Sequence, residues 1–148
     1  MNEIVLLDAG PLGMISNPAA TSINLECYNW MESLVLSGVR VIIPEIADFE
    51  VRRELLRAGK THGLARLDLL KRTLDYSPIT THIMLEAAEL WAQARRIGKP
   101  TADAKALDCD VILAAHAKAE GGMVATENVG HLSLFVEATA WRDILPPA

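Results

Sequence analysis

Two short apolar runs separated by a helical stretch restrict what this chain can fold into. Ile4–Leu7 is followed by Asp8 and a Gly-Pro pair, and a second apolar run, residues 39–44, ends in proline. Runs without polar alternation are typical of strands that are buried on both faces. Between them, apolar residues recur at helical spacing over residues 20–36: Ile23, Cys27, Trp30, Met31 and Leu34. This order of strand, helix and strand predicts a βαβ unit and therefore a parallel sheet.

The rest of the chain continues to alternate between helical and extended patterns. We predict helices at residues 45–58, 61–74, 80–96 and 111–117, and strands at residues 76–80, 123–126 and 136–140. The Gly10-Pro11 pair is interpreted as a turn, and residues 101–107 as a connection. We expect two helices to bury a stripe each: Ile46, Phe49, Arg53 and Leu56 in the first, and Met84, Ala88, Trp91 and Ala94 in the second. The predicted fold class is α/β, a three-layer α/β/α sandwich around a four- to five-stranded parallel sheet.

The composition suits one helix-rich domain. Apolar residues make up 51% of the 148 residues and aromatic ones only 5%, which favours an α/β protein over a sandwich or barrel. We expect residues 1–148 to form a single domain. Cys27 and Cys109 have no metal-ligand spacing and no secretory context, so we expect ordinary buried thiols in a reducing cytoplasm. Without a basic leader or an apolar stretch of about 20 residues, the chain is expected to be soluble, with no membrane contact.

Positive charge is concentrated in one segment. The net charge of −5 argues against a protein whose whole surface grips nucleic acid. Half of the Lys and Arg residues nevertheless lie between positions 52 and 72: Arg52, Arg53, Arg57, Lys60, Arg66, Lys71 and Arg72. They fall on a predicted helical hairpin, where they form either a solvated face, a protein-binding surface or a contact to RNA. Arg53, Arg57 and Lys60 are the candidate RNA-binding residues.

Acidic side chains are predicted to meet at one edge of the sheet. In an open parallel sheet, the functional crevice lies at the carboxyl ends of the strands. Asp8 directly follows the first strand, although an Asp there can also simply cap a turn. Glu50 lies in the second turn of the helix after the second strand, beside its core stripe. Glu54 is the alternative one turn further on, and Glu45 is a first-turn acid that the helix dipole favours.

The second half of the chain adds a third acid and two neutral oxygens. Asp110 lies at the start of the helix that leads back to the strand at residues 123–126, so it is expected at the same edge. Asp108 is the alternative, and it also fits a helix N-cap. Side chains two residues apart in a helix point about 200° away from each other, so only one of Asp108 and Asp110 can face the site. Asp103 is interpreted as a solvated loop residue or an outer member of the site. Thr126 and Asn128 leave the strand at its carboxyl end.

The residue types in this set indicate a hard-oxygen metal site. Three carboxylates with hydroxyl and amide oxygens suit Mg²⁺ or Mn²⁺, and no Lys or Arg that could pair with Asp8 precedes Arg40. Such a site can hydrolyse a phosphate ester. The four histidines lack ligand spacing and are interpreted as surface or packing residues: His62, His82, His116 and His131.

Two other uses of the first strand are disfavoured. A phosphatase with Asp8 as nucleophile would need an acid two residues later, where Gly10 stands. A nucleotide-binding module would need a phosphate-binding loop of the P-loop or Gly-x-Gly-x-x-Gly kind after the strand, and neither occurs.

These motifs together resemble a known family. The chain is similar to the PIN domain, specifically its VapC-like branch, at four motifs. These are Leu7-Asp8, Ile43-Pro44 followed by Glu50, the run from Asp110 to Ala117, and Val124-Ala125-Thr126-Glu127-Asn128 followed by His131-Leu132. The resemblance implies a Mg²⁺- or Mn²⁺-dependent ribonuclease that hydrolyses RNA phosphodiester bonds. Such a protein is commonly the toxin of a type II toxin–antitoxin pair, dimeric and neutralised by a small antitoxin. The metal-binding acids would be Asp8, Glu50 and Asp110, with Thr126 and Asn128 at the fourth position.

One position departs from the family pattern. Members often carry Asp where Asn128 stands, so the chain lacks one negative charge, which should weaken a second metal ion. Two alternatives therefore stay open. The chain is a PIN nuclease that is not a toxin, or a catalytically weak PIN-like scaffold that binds RNA or a protein.

Overall fold

The computed structural model describes residues 3–97 and 104–148, and the side chains of all of these except 104 and 105. Its sheet has five strands, in the order β3-β2-β1-β4-β5, and all neighbouring strands are parallel. The strands are β1 (Ile4–Leu7), β2 (Arg40–Pro44), β3 (Asp75–Ser77), β4 (Met123–Thr126) and β5 (Ala138–Ala140). The predicted parallel sheet is thus confirmed, with β1 at its centre.

Helices cover both faces of this sheet. They are α1 (Ala9–Ser16), α2 (Ser22–Leu36), α3 (Glu45–Arg57), α4 (Thr61–Thr73), α5 (Thr81–Arg96), α6 (Ala104–Glu120) and α7 (Val129–Leu132), and a 3₁₀ turn follows at Trp141–Asp143. Val5 and Leu7 pack with residues of α1, α2 and α4, whereas Leu6 packs with Leu113 of α6. Because successive side chains of a strand point to opposite faces, the strands are buried on both sides. The predicted three-layer α/β/α architecture is confirmed.

Three helical segments differ from the predictions. Residues 9–16 form helix α1, not a turn, because Asp8 caps the helix and Pro11 lies in its first turn, where a missing N–H costs no hydrogen bond. Helix α6 begins by Ala104 and therefore includes residues that we interpreted as a connection. The short helix α7 was not predicted, and its N-cap is Asn128. The prediction for Asp103 lies outside the described residues.

The buried faces of α3 and α5 also differ from the predicted stripes. Helix α5 buries Ile83, Ala87 and Leu90, each one position before a predicted residue, while Met84 and Trp91 are exposed. Apolar residues occupy both stripes, so the spacing fits two faces about 100° apart, and only packing selects one. In helix α3, Ile46 is buried as predicted, but the other predicted stripe residues, Phe49, Arg53 and Leu56, are exposed. Ala47, Asp48 and Val51 are buried in their place.

A polar pair lies between the sheet and α6. The Nδ1 atom of fully buried His116 is 3.0 Å from the Oγ atom of Ser77, in β3. Burial lowers the pKa of His116 to about 4, against a smaller opposing effect of Glu45 and Glu120. His116 is therefore a neutral packing residue at neutral pH, as expected. Within residues 3–97 and 104–148, no helix is long and apolar enough to cross a bilayer.

Candidate active site

Asp8 is fixed at the carboxyl edge between the two central strands. Its Oδ1 atom accepts the backbone N–H of Ala9 at 2.7 Å, which caps helix α1. Its Oδ2 atom accepts the hydroxyl of Thr126 at 2.7 Å, and its own N–H donates to the carbonyl of Ala125 at 3.0 Å. Asp8 is therefore a helix N-cap, as an Asp after a strand often is. Its carboxylate also lies at the candidate site, in a position fixed by β1 and β4.

Thr126 and Asn128 form a tight turn next to Asp8. Thr126 is 1% exposed, and its Oγ1 atom accepts the N–H of Asn128 at 3.1 Å. The Oδ1 atom of Asn128 accepts the N–H of Gly130 at 3.3 Å, which caps helix α7. The oxygen that we predicted as a metal ligand therefore already has a role in the turn, and its role toward a metal stays a prediction.

Glu50 lies in helix α3 and faces the same edge. It is partly buried, and its pKa is raised to about 7 by burial and then by repulsion from Asp8 and Asp110, while Arg53 opposes this rise. Glu54, one turn further on, is exposed and pairs with Arg57 at 2.9 Å. The structure therefore brings Glu50, and not Glu54, into the electrostatic field of Asp8.

Asp110 is the third acid at this edge. It is partly buried in the body of helix α6, and its pKa is raised to about 6 by burial and then by repulsion from Asp8. Asp108 is exposed. It is not an N-cap, because α6 begins by Ala104. As the helical geometry requires, only one of the two acids, Asp110, is on the side of α6 that faces Asp8.

His131 of helix α7 is also close to this site, although we interpreted it from the sequence as a surface or packing residue. It lowers the pKa of Asp110, against the stronger effects of burial and Asp8. Its Nδ1 atom is buried and has no hydrogen-bond partner within the described part of the chain. The one signal in the sequence was its place three residues after Asn128, inside the last motif.

The three acids have no ion-pair partner among the residues described. Among the residues described, Asp8, Glu50 and Asp110 form no salt bridge with Lys, Arg or His within 4.0 Å. Nor do the described ranges contain three Asp, Glu, His or Cys side chains close enough together to hold a metal ion as they stand. Burial, and then repulsion between the carboxylates, raises the pKa values of Glu50 and Asp110. The donor types suit a hard divalent cation, whose binding would have to draw the carboxylates together.

A groove opens beside Glu50. It has a volume of about 890 Å³ and lies between α1, α3 and the start of α4. Arg53 and Lys60 line it together with Glu50, so two positive side chains share the groove with one of the three acids. Arg57 does not line the groove, and its guanidinium pairs with Glu54, which does, at 2.9 Å.

Three other cations of the hairpin form ion pairs or hydrogen bonds within the protein. Arg52 pairs with Asp48 at 3.0 Å and with Asp68 at 2.7 Å, and Lys71 lies 3.6 Å from Asp48. Arg66 donates to the carbonyl of Ile15 at 2.8 Å. Of the three candidate RNA-binding residues, Arg53 and Lys60 lie at the groove, and RNA contact by Arg53, Arg57 or Lys60 stays a prediction.

Comparison with known proteins identifies the family. The family model described as the PIN domain matches residues 22–132, more than half of the chain. The chain therefore belongs to the PIN domain family.

Solved structures support the same fold. VapBC2 from Rickettsia felis, bound to a DNA fragment from its promoter, is 18% identical, with a TM-score of 0.74 over 93% of this chain and 98% of that one. FitAcB from Neisseria gonorrhoeae is 20% identical, with a TM-score of 0.70 over 95% and 99%. DNA-bound VapBC from Salmonella typhimurium is also 20% identical, with a TM-score of 0.67 over 95% and 99%. No curated protein matches the chain by sequence.

Proposed function

We propose that this protein is a Mg²⁺- or Mn²⁺-dependent endoribonuclease and the toxin of a type II toxin–antitoxin pair. The observation that supports this most directly is that Asp8, Glu50 and Asp110 come from three separate elements and share one electrostatic environment. Partly buried carboxylates without an ion-pair partner are costly, and a divalent cation would offset that cost. Membership of the PIN domain family agrees with this chemistry.

The chain's own residues have distinct roles in this proposal. Asp8, Glu50 and Asp110 would hold the metal, with Asn128 as the predicted further ligand and Thr126 orienting Asp8 through its hydroxyl. When bound, the metal would supply Lewis acidity and neutralise charge on the scissile phosphate. Arg53 and Lys60 would orient the RNA backbone along the groove toward the acids.

The structural neighbours and exposed apolar surface support two proposed protein partners. The neighbours are VapBC and FitAcB structures, and we propose a cognate antitoxin for this chain as well. A groove of about 530 Å³ between α2 and α4, with Leu25, Tyr28, Met31 and Leu69 among its lining residues, would suit an amphipathic segment of such a partner. We also propose a homodimer, in which a second copy covers the exposed Met84, Leu85 and Trp91 of α5.

Cleavage of RNA by matched variants tests the activity. We expect Mg²⁺-dependent cleavage by the wild-type protein, and its loss in Asp8→Asn and Asp110→Asn. Asp108→Asn is the matched control, since Asp108 is on the same helix but exposed, and it should retain activity. Unchanged cleavage by Asp8→Asn or Asp110→Asn would overturn the proposal.

The cap formed by Asn128 supports one alternative. Asn128 is neutral, so the site has one charge fewer than a four-acid site, and its amide oxygen already caps α7. In this alternative the protein is a binding scaffold. Calorimetric titration with Mn²⁺ separates the two, because a scaffold would release no heat of binding. If cleavage is found, the neighbouring reading frame distinguishes a toxin from another PIN nuclease: a short upstream gene with a DNA-binding N-terminus favours the toxin.

A further inference from the structure

We propose that Glu127 is a positioning residue for the metal site, held in place by the indole of Trp141. The inference rests on the proposed metal-dependent nuclease. It concerns two residues that are not among the predicted ligands, and it assigns a role to the C-terminal 3₁₀ turn.

The sheet register brings the two residues together. Strands β4 and β5 are parallel, with Thr126 paired to Ala140, so Glu127 and Trp141 are the first residues beyond two neighbouring strands. The Nε1–H of Trp141 donates to the Oε1 atom of Glu127. A residue of the C-terminal turn thus contacts the turn that follows Thr126.

Trp141 is a rigid donor. It is 2% exposed and belongs to the core cluster that includes residues of α1 and α2. Its ring lies against Trp30, with the centroids 5.6 Å apart, and the guanidinium of Arg142 lies 4.8 Å from its centroid on the ring face. The indole of Trp30 in turn donates to the carbonyl of Ile144 at 2.8 Å. The indole N–H of Trp141 is therefore fixed by the core, and Glu127 adapts to it.

The aliphatic part of Glu127 lies across the first turn of helix α1. A Cβ atom built on Gly10 would lie 2.9 Å from the Cγ atom of Glu127 and 3.4 Å from its Cβ atom. Gly10 is two residues after Asp8, the N-cap of that helix. Glu127 therefore fills the space between the helix that carries Asp8 and the core that carries Trp141.

This contact limits how the two sides of the site move relative to each other. Glu127 is exposed, and an exposed glutamate samples many rotamers unless it is tethered. Tethered, it links the turn containing Thr126 and Asn128 to the start of α1, where Thr126 and Asp8 already share a 2.7 Å hydrogen bond. Groups behind a ligand that fix its orientation commonly change metal affinity by about tenfold or more.

Mn²⁺ alone is the probe for the first test. By calorimetry, we expect Glu127→Ala to weaken Mn²⁺ binding by about tenfold, with a similar thermal midpoint. Glu127→Gln should restore the affinity to near wild type, because its amide oxygen can still accept the indole N–H. The matched control is Glu26→Gln, which loses the salt bridge to Arg142 in the same 3₁₀ turn but should bind Mn²⁺ as the wild type does.

The second test has two parts: one removes the indole N–H of Trp141, and the other observes that N–H when Glu127 is changed. Trp141→Phe keeps a ring in the core but loses the N–H, so it should weaken Mn²⁺ binding as Glu127→Ala does, and the double variant should be no weaker than either single one. The nuclear magnetic resonance signal of the Trp141 indole N–H should move upfield in Glu127→Ala. In the wild type it should also shift when Mg²⁺ is added.

The outcomes distinguish this inference from the function on which it rests. If the wild-type protein binds no Mn²⁺, the proposed function fails and the positioning role fails with it. If the wild type binds Mn²⁺ and Glu127→Ala binds it equally well, the positioning role alone is overturned. A Glu127→Gln variant as weak as Glu127→Ala would show that the hydrogen bond to Trp141 is not the cause, and would also overturn it.

Discussion

The hydroxyl of Thr126 donates to the carboxylate of Asp8 at 2.7 Å, across 118 positions of the sequence. The contact is possible because β1 and β4 are neighbours, with Leu7 paired to Ala125. It joins the first strand to the last motif of the chain. Each element of the candidate site is thus arranged relative to one carboxylate, and the predictions below test that arrangement.

Removing the hydroxyl of Thr126 should affect both stability and the site. Thr126→Val keeps the shape but removes the donor to Asp8 and the acceptor for the N–H of Asn128. We expect a loss of about 1–2 kcal/mol in the free energy of unfolding and weaker Mn²⁺ binding. Thr126→Ser, which retains the hydroxyl, is the control. Urea unfolding and calorimetry provide the two measurements, and equal values for the Val and Ser variants would contradict the expected role.

Metal binding should strengthen as the pH rises. The pKa values of Glu50 and Asp110 are raised to about 7 and about 6, and a carboxylate must lose its proton before it binds a cation. We therefore expect the Kd for Mn²⁺ to fall between pH 5.5 and pH 8. Titrations across this range measure the trend. In Glu50→Gln the dependence should flatten around pH 7, whereas Asp108→Asn should follow the wild type. A Kd independent of pH would contradict the coupling of these acids to the metal.

RNA binding should depend on Arg53 more than on Arg57, although both are in helix α3. Arg53 lines the groove beside Glu50, whereas Arg57 does not line it and its charge is paired with Glu54 at 2.9 Å. In catalytically inactive Asp110→Asn protein, adding Arg53→Ala should weaken binding of single-stranded RNA and reduce the salt slope by about 0.7 for the lost phosphate contact. Adding Arg57→Ala should leave both nearly unchanged. Fluorescence anisotropy at several salt concentrations measures the difference, and equal effects of the two variants would argue against the groove as the RNA path.

Acid should destabilise the fold through His116. Its pKa is lowered to about 4 in the fold, below the unfolded value of about 6.5. The unfolded state then binds more protons, so this contribution is present above pH 6.5 and is lost as the pH falls toward 4, by up to about 3 kcal/mol. Glu50 and Asp110, with raised pKa values, change stability in the opposite direction.

The effect of His116 is therefore measured as a difference between two proteins. His116→Gln can still bond to Ser77 but does not titrate. We expect the wild type to lose stability relative to this variant between pH 6.5 and pH 4.5, in urea unfolding at each pH. Parallel curves for the two proteins would rule out His116 as the source.

Two glycines should respond to alanine in opposite directions. A Cβ atom on Gly122 would lie 2.7 Å from Ile4 Cγ2 and 2.8 Å from the Ile4 carbonyl oxygen, so Gly122→Ala should destabilise the protein by about 1–3 kcal/mol. Gly13 lies within helix α1, and a Cβ atom there meets nothing within 4 Å. Gly13→Ala should therefore stabilise the protein by about 0.5–1 kcal/mol. Thermal unfolding of both variants tests the contrast, which fails if Gly122→Ala is as stable as the wild type.

The sequence alone determined the parallel sheet and most of its elements. Apolar runs without alternation, followed by amphipathic stretches, permit few other arrangements, and β2, β4, α3 and α5 begin or end within a residue or two of the predicted positions. The same order of elements predicts that Asp8, Glu50 and Asp110 face one edge of the sheet, because the strands are parallel. Which ion these acids bind remains a prediction.

Tertiary structure decided the features that depend on packing or on long-range partners. The spacing in α5 allowed two buried faces, and contact with α6 selected the one containing Ile83. The interpretation of Gly10-Pro11 as a turn was wrong: Gly-Pro fits both a turn and the first turn of a helix, and the capping bond from Ala9 N–H to Asp8 belongs to the helix. The contact between Glu127 and Trp141 joins residues from two strands, and no local pattern records it, because the register of β4 and β5 exists only once the sheet has formed.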